Sequence, residues 1–265
     1  MYSATNTPTA GFVWIVGAGP GAADLITLRG RKALEQAQVV IHDELAGKDL
    51  LQFCPPGCTY HFVGKRAGKH SASQAEINEL LVQNASAGFA VVRLKGGDPT
   101  LFGRLGEEIE ALRAADIPFE IVPGVTAACA AAAAAGVSLT HRSHASAAIF
   151  VTGRECTAKC DADRVDWTAL ARPGTTLCVY MGLRRLEYAA QQLQAGGLPS
   201  TTPLTIISNA SRPDQSILEG ILADAGRLAA LAAGQPSLIL IGAAVGAARL
   251  PDAAVLESLA AEVVV

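Results

Sequence analysis

An excess of charge of one sign is the first thing this chain lacks. Its 265 residues carry 21 Lys+Arg against 24 Asp+Glu, a formal net charge of −3 at pH 7. No global basic field is therefore available to hold a nucleic acid, and an anionic ligand has to be met by locally clustered cations. Long apolar runs are also missing. Half of the residues are apolar, much of that alanine, but no stretch reaches the roughly 18 residues of a membrane span. The first basic residue, Arg29, comes after the apolar run at 12–16, so no secretory leader is expected and the protein is read as cytoplasmic. Cysteine is sparse: Cys54, Cys58, Cys129, Cys156, Cys160 and Cys178 are too few for a disulfide scaffold and are expected as free thiols. Neither the spacing of those thiols nor that of the five histidines follows a metal-ligand pattern, so no metal is expected. Composition excludes a disordered, collagen-like or coiled-coil chain.

What is present is a rhythm: a short β-branched run ends in glycine or proline and a helical stretch follows. Such runs occupy residues 13–16, 39–42, 60–63, 90–94, 119–122, 147–152, 176–181, 204–208 and 238–241, which predicts an α/β chain. Helices fit residues 25–38, 107–115, 186–195 and 222–233, and the alanine run 130–135 favours helix by propensity. A further helix lies between 64 and 88, where Ser73 and Glu76 form a capping box, Ile77, Leu80 and Leu81 share a face, and Gly88 stops the turns. Five strands precede Pro123-Gly124-Val125 and roughly four follow it. That places a flexible tail at 1–11, an N-terminal α/β domain at 12–124 and a C-terminal α/β domain at 125–265, with a cleft between the two. The glycine-rich strand ends all fall in the first half, and in open α/β sheets ligands bind outside the carboxyl ends of the strands.

The first strand end, Gly17-Ala-Gly19-Pro20-Gly21-Ala22, reads loosely as the dinucleotide fingerprint GxGxxA, with Asp43 or Glu44 as the ribose acid. An NAD-linked dehydrogenase is therefore a rival reading, and a purely structural tight turn is another. Against the dinucleotide, Pro20 removes a backbone donor where a pyrophosphate would rest. The second strand end, Lys95-Gly96-Gly97-Asp98-Pro99, offers open backbone beside a carboxylate that would repel an anion. It suits a ligand with hydroxyls or a positive centre, such as a cationic nucleoside. Residues 64–70 put Lys65, Arg66, Lys69 and His70 in one loop. Such a charge run is often only a solvated face. With Arg104 and Arg142 also near strand ends, it fits a polycarboxylate substrate.

Taken together, the segments GAGPGAADLITLRG, VVIHDEL, FVGKRAGKH, QAEINELL, VVRLKGGDPTLFGR with GEE, IPFEIVPGVTAA, LTHR, FVTG, TLCVYMGL and NASRPDQ resemble a known family. Their order and spacing, from about Val13 to Gly242, are similar to those of the uroporphyrinogen-III C-methyltransferases in the tetrapyrrole methylase superfamily. The resemblance implies two α/β domains, a homodimer, and S-adenosyl-L-methionine (SAM) folded in the cleft, leaving as S-adenosyl-L-homocysteine. It implies methylation of uroporphyrinogen III at ring carbons 2 and 7 to give precorrin-2, without nucleic acid or membrane as partner.

Carried over by position, the resemblance implies cofactor contacts at Pro20, Gly96, Gly97, Asp98, Leu101, Thr126, Ala127, Met181 and Ala210. Arg104, Glu107, Arg142 and Met181 match tetrapyrrole contacts, and Asp43 and Lys65 match a proton acceptor and donor. Such chemistry asks the protein for orientation, desolvation and charge placement rather than for a nucleophile. Ser143-His144 stands where the family has Asp-Tyr, Ala210 where it has glycine, and Thr100, Leu105 and Glu44 also depart from the pattern. A SAM enzyme acting on a later corrin intermediate remains the alternative within the superfamily.

Overall fold

The computed structural model describes residues 11–64, 72–154 and 164–247. Backbone contacts divide the chain into two compact units, Met1–Ala127 and Ala128–Val265. In the first, β1 (Phe12–Gly17), β2 (Val39–His42), β3 (Thr59–Phe62), β4 (Ala90–Lys95) and β5 (Phe119–Val122) form one sheet in the order β3-β2-β4-β1-β5. Every pairing is parallel. The inner strands β1, β2 and β4 are buried on both faces, whereas the edge strands β3 and β5 are only partly covered. Trp14, Val16, Val40, Val92 and Leu94 pack on one face with Ala33 and Leu34 of α1 (Leu28–Glu35). Val13, Ile15, Val39, Ile41 and Val91 face the other way, onto Ile77 and Leu81 of α2 (Gln74–Ser86) and Leu112 of α3 (Leu105–Ala114).

The capping box is present: Ser73 Oγ accepts from the Glu76 amide at 3.2 Å, and Glu76 Oε2 accepts from the Ser73 amide at 2.6 Å. Gly88, at φ +90°, ends the helix where the sequence expects it. The helix expected over 25–38 is shorter. A 3-10 turn at Ala23–Leu25 is broken by extended Ile26 and Thr27, and α1 starts only at Leu28, where Thr27 Oγ caps the Gly30 amide at 3.1 Å.

The second unit holds α4 (Ala127–Ala134), which begins in the last residue of the first, and a mixed sheet ordered β6-β7-β10-β8-β9. Its strands are β6 (Ala147–Thr152), β7 (Thr175–Tyr180), β8 (Pro203–Ser208), β9 (Ser216–Ile221) and β10 (Ser237–Ile241). Only β6 and β7 pair in parallel; the remaining pairs are antiparallel. Leu186 and Leu193 of α5 (Leu186–Ala195) and Leu228 of α6 (Ala225–Leu231) pack with Leu177, Val179, Ile206 and Ile239. A short α7 (Ala243–Ala247) follows β10. Five strands, not four, thus follow the boundary among the described residues. The additional one is β9, an edge strand whose polar and glycine-bearing sequence carries no apolar run. The helix expected over 222–233 is a 3-10 turn, Leu222–Asp224, followed by α6.

Candidate active site

The connection from β1 runs to β2 on one side of the sheet, and that from β4 runs to β5 on the other, so the winding reverses between neighbours β1 and β4. Their carboxyl ends are the expected binding place for such a sheet. Here the two glycine turns pair with each other: the Gly97 amide donates to the Gly19 carbonyl at 2.7 Å, and the Gly19 amide returns a bond to Gly97 at 3.2 Å. Gly19 and Gly97 hold φ of +78° and +70°, which glycine adopts without a Cβ clash. A Cβ on Gly17 would lie 2.6 Å from the Gly124 nitrogen and 2.7 Å from the Gly97 oxygen. These glycines therefore let three backbones touch. Because α1 starts only at Leu28 and is capped by Thr27, the α-helix does not open from the Gly17–Gly21 turn as the dinucleotide fingerprint requires.

Asp98 ties this ridge together. Its Oδ1 accepts from the Thr100 amide at 2.8 Å and from the Thr100 hydroxyl, and its Oδ2 accepts from the Gly124 amide at 3.0 Å. Pro20, Gly96, Gly97 and Leu101 lie in the same turns, and Thr126 and Ala127 follow β5, so the first unit gathers these expected contacts at one end of its sheet. None of the segments 17–22, 96–101 and 123–127 contains Lys or Arg. Backbone, hydroxyls and one carboxylate fit a zwitterion with a positive centre better than a pyrophosphate. Exposed Arg104 caps α3 and donates to Glu107 through Nε at 2.7 Å and Nη2 at 2.6 Å. That fork holds the Glu107 carboxyl below its ordinary range. A substrate carboxylate reaching for Arg104 thus competes with Glu107.

Beside Asp43 is a group of charges that the sequence reading missed. Arg93 and Lys95 point to the α2/α3 face of β4, where Glu108 is fully buried. Lys95 Nζ donates to both Glu108 oxygens at 2.8 Å, and Arg93 Nε donates to Oε1 at 3.0 Å. Arg93 Nη1 donates to the Ile41 and Leu94 carbonyls at 3.3 and 3.1 Å, and Nη2 lies 3.7 Å from Asp43 Oδ2. Burial, and then the charge of Arg93, push the Lys95 pKa down. The signal was there in VVRLK: cations two apart in an otherwise buried strand require a buried acid.

Burial also lowers the pKa of His42, which is 7% exposed and whose Nδ1 lies 3.3 Å from the Asp43 carbonyl. Its folded pKa is below the unfolded value of about 6.5, so its contribution to stability is present above that pH and is lost as pH falls through the folded value. Urea midpoints at pH 7.5 and 5.5 should therefore differ less in His42→Asn than in the unmodified protein. An equal difference would refute the assignment.

In the second unit, β7 and β8 run the same way, each antiparallel to β10, so Met181 and Ala210 follow strands that end on one rim. Backbone strain gathers at these strand ends. Of the six non-glycine residues with positive φ among those described, Phe102, Arg104, Met181, Asn209 and Ser211 all follow β4, β7 or β8. The sixth, Asp116, has an ordinary cause: it closes α3, with the Ile117 amide donating to the Leu112 carbonyl. Left-handed non-glycine residues persist where the surroundings hold them and cluster at functional sites.

Arg142 is not on that rim. It lies exposed in the turn closed by His141 and Ala145, ahead of the amino end of β6. Lys65 and the rest of the cationic loop fall outside the described residues, as do Cys156 and Cys160. The remaining cysteines are free thiols, and burial pushes Cys54 and Cys178 up to about 12. No group of three His, Cys, Asp or Glu among the described residues is placed to hold a metal ion.

Comparison with known proteins identifies the class. Residues 13–226 match the family Tetrapyrrole (Corrin/Porphyrin) Methylases, and the chain belongs to that family. It is 48% identical over 237 residues to a sirohaem synthase of Actinobacillus pleuropneumoniae serotype 7, covering 89% of this chain and 48% of the relative. It is 49% identical over 232 residues to sirohaem synthase 2 of Aeromonas hydrophila, covering 88% and 48%. The chain thus spans about half the length of the curated relatives it matches. Among solved structures, uroporphyrin-III C-methyltransferase from Thermus thermophilus, complexed with S-adenosyl homocysteine, superposes with a TM-score of 0.74 at 35% identity, covering 89% of this chain and 99% of that one. A cobalt precorrin-4 methyltransferase superposes at 0.78 with 29% identity, covering 88% and 95%.

Proposed function

We propose that the chain is a SAM-dependent methyltransferase that converts uroporphyrinogen III to precorrin-2 by methylating ring carbons 2 and 7. The observation that carries this reading is the ridge of glycine turns at the ends of β1, β4 and β5, free of Lys and Arg and braced by Asp98, beside the part-exposed carboxylate of Asp43. When bound, SAM supplies an electrophilic methyl group. The residues of the chain bind, orient and handle the proton. Pro20, Gly96, Gly97, Asp98, Leu101, Thr126 and Ala127 are the proposed cofactor contacts in the first unit, and Met181 and Ala210 those in the second. Asp43 takes the proton that the cationic macrocycle sheds from a bridging carbon, because the methylated ring carbon itself carries no hydrogen. Lys65, outside the described residues, is the proposed donor. Arg104, Glu107, Met181 and Arg142 are assigned to the tetrapyrrole, the guanidinium forks matching its carboxylate arms.

The protein is proposed to work as a homodimer in the cytoplasm. Among the described residues no helix is long and apolar enough to cross a membrane. The deciding experiment is anaerobic incubation with SAM and uroporphyrinogen III. A dimethylated product of precorrin-2 mass and absorbance supports the reading, and turnover of a later corrin intermediate alone refutes it.

Cofactor binding gives an independent check. Calorimetry should show S-adenosyl-homocysteine binding and no NAD binding, and Asp98→Ala should weaken the former by about 1–3 kcal/mol, the cost of losing a hydrogen bond that the ligand donates to the carboxylate. Unchanged affinity would take Asp98 out of the site.

A further inference from the structure

We propose that Arg93 is the positioning residue of Asp43, its guanidinium fixed from the interior by Glu108 so that its remaining arm sets the direction of the Asp43 carboxylate. The inference rests on the methyl-transfer reading, in which Asp43 receives the proton.

The geometry assigns every arm of the guanidinium. Nε is held by Glu108 and Nη1 by two backbone carbonyls, those of Ile41 in β2 and Leu94 in β4, which leaves Nη2 facing Asp43 Oδ2. A planar fork bonded on two sides cannot swing without breaking buried bonds. Exposure rises in one direction through the group: the Glu108 side chain is 0% exposed, Lys95 4%, Arg93 5% and Asp43 30%. Asp43 is therefore the member at which the group meets solvent. Its own backbone adds a second hold, since Oδ1 accepts from the Leu45 amide at 3.1 Å. The 3.7 Å separation from Arg93 is an ion pair and not a hydrogen bond, so Oδ2 keeps a lone pair for an incoming proton. In that step a C–H bond of a methylene bridge breaks, its electron pair discharges the cation left on the macrocycle by methylation, and an O–H bond forms on Oδ2.

Charge counting points the same way. Arg93 and Lys95 balance Glu108 and Asp43, two cations against two carboxylates, so the carboxylate at the surface completes the neutrality of the buried group. Stability alone does not explain these residues, because well-packed apolar side chains often replace a buried ionic group at no loss. Their position does: Ile41 and Leu94 belong to the two strands whose ends frame Asp43.

The test is a double-mutant cycle of Arg93→Met and Asp43→Asn, read as kcat, KM and S-adenosyl-homocysteine affinity. In Arg93→Met, Glu108 keeps Lys95 as its partner, so the buried carboxylate is not orphaned. Should that variant fail to fold, Arg93→Lys takes its place in the cycle, retaining the charge and losing the fork. The Arg93 variant should lower kcat about 10-fold with Asp43 present and less than about 2-fold in the Asp43→Asn background, as expected for side chains acting as a unit. KM and cofactor-product affinity should stay within about 2-fold of wild type. Equal losses in both backgrounds, or full kcat in the variant, overturn the proposal.

A second readout needs no turnover. With carboxyl carbons of aspartate labelled, the resonance that disappears in Asp43→Asn belongs to Asp43, and it should move in the Arg93 variant. A resonance that stays in place overturns the proposal. Failure of the methyl-transfer reading looks different: the wild type leaves uroporphyrinogen III unmethylated, or Asp43→Asn retains full turnover, while the resonance still reports on Arg93.

Discussion

Glu108→Ala should cost about 3–5 kcal/mol of unfolding free energy, because it leaves two buried cations without their acid. Glu108 accepts three close hydrogen bonds, two from Lys95 and one from Arg93, and a fourth at 3.4 Å from Gln74. All of this lies in a side-chain shell that is at most 5% exposed at Arg93, Lys95 and Glu108. Removing the acid leaves Lys95 facing Arg93, and both burial and that charge already lower its pKa. The folded variant then binds fewer protons than the unfolded chain between the lowered folded pKa of Lys95 and its unfolded value of about 10.4. Its stability deficit should therefore shrink as pH rises through that window. Denaturant unfolding at neutral and alkaline pH checks both parts. A loss below about 1 kcal/mol would place these charges in contact with water.

Arg142→Ala is expected to lower turnover of uroporphyrinogen III by roughly 10- to 150-fold, which corresponds to one lost charge-assisted hydrogen bond of about 1.5–3 kcal/mol. S-adenosyl-homocysteine affinity should remain near wild type. The corresponding change at Arg104 should cost less. Arg104 gives its fork to Glu107 at 2.6 and 2.7 Å, so a substrate arm there replaces one carboxylate with another. Exposed Arg142 has no carboxylate partner among the described residues. Steady-state kinetics of the two variants side by side decide the matter. Wild-type rates in Arg142→Ala would return that residue to the solvated surface, and parallel loss of cofactor-product binding would mean that the turn at 141–145 had been damaged.

The order of elements was legible in the sequence wherever apolar periodicity was undiluted. Strands β1, β2, β4 and β5 follow the runs expected for them to within a residue, the first three because they are buried on both faces. The Ser73–Glu76 box fixed the start of α2 for a local reason that needs no tertiary context. What could not be read depends on partners. β9 is a strand only because β8 offers its edge, with Pro203 opposite Ile221. The break at Ile26–Thr27 depends on a cap that competes with an otherwise acceptable helix. The expected contacts of the first unit were recognised by their motifs, but the division of labour among them was not. The glycines of the first turn serve backbone packing, Asp98 serves as a brace, and Arg93, Lys95 and Glu108 pass for ordinary surface charges until the sheet is assembled.

The strand order of the first unit also governs how it can be made. β1 is the first strand of its sheet to be synthesised, yet it lies between β4 and β5, with Phe12 opposite Ala90 and Val13 opposite Phe119. An apolar segment, Phe-Val-Trp-Ile-Val, must therefore wait without either neighbour while two other strands, β2 and β3, and two helices are synthesised. Such non-local parallel pairing is slow and leaves the chain exposed to self-association in the interval. The β8–β9 hairpin of the second unit, adjacent in sequence, can close as soon as it emerges. Substitutions that slow the first sheet should accordingly reveal themselves in the yield of soluble protein before they are seen in the equilibrium stability of what has folded.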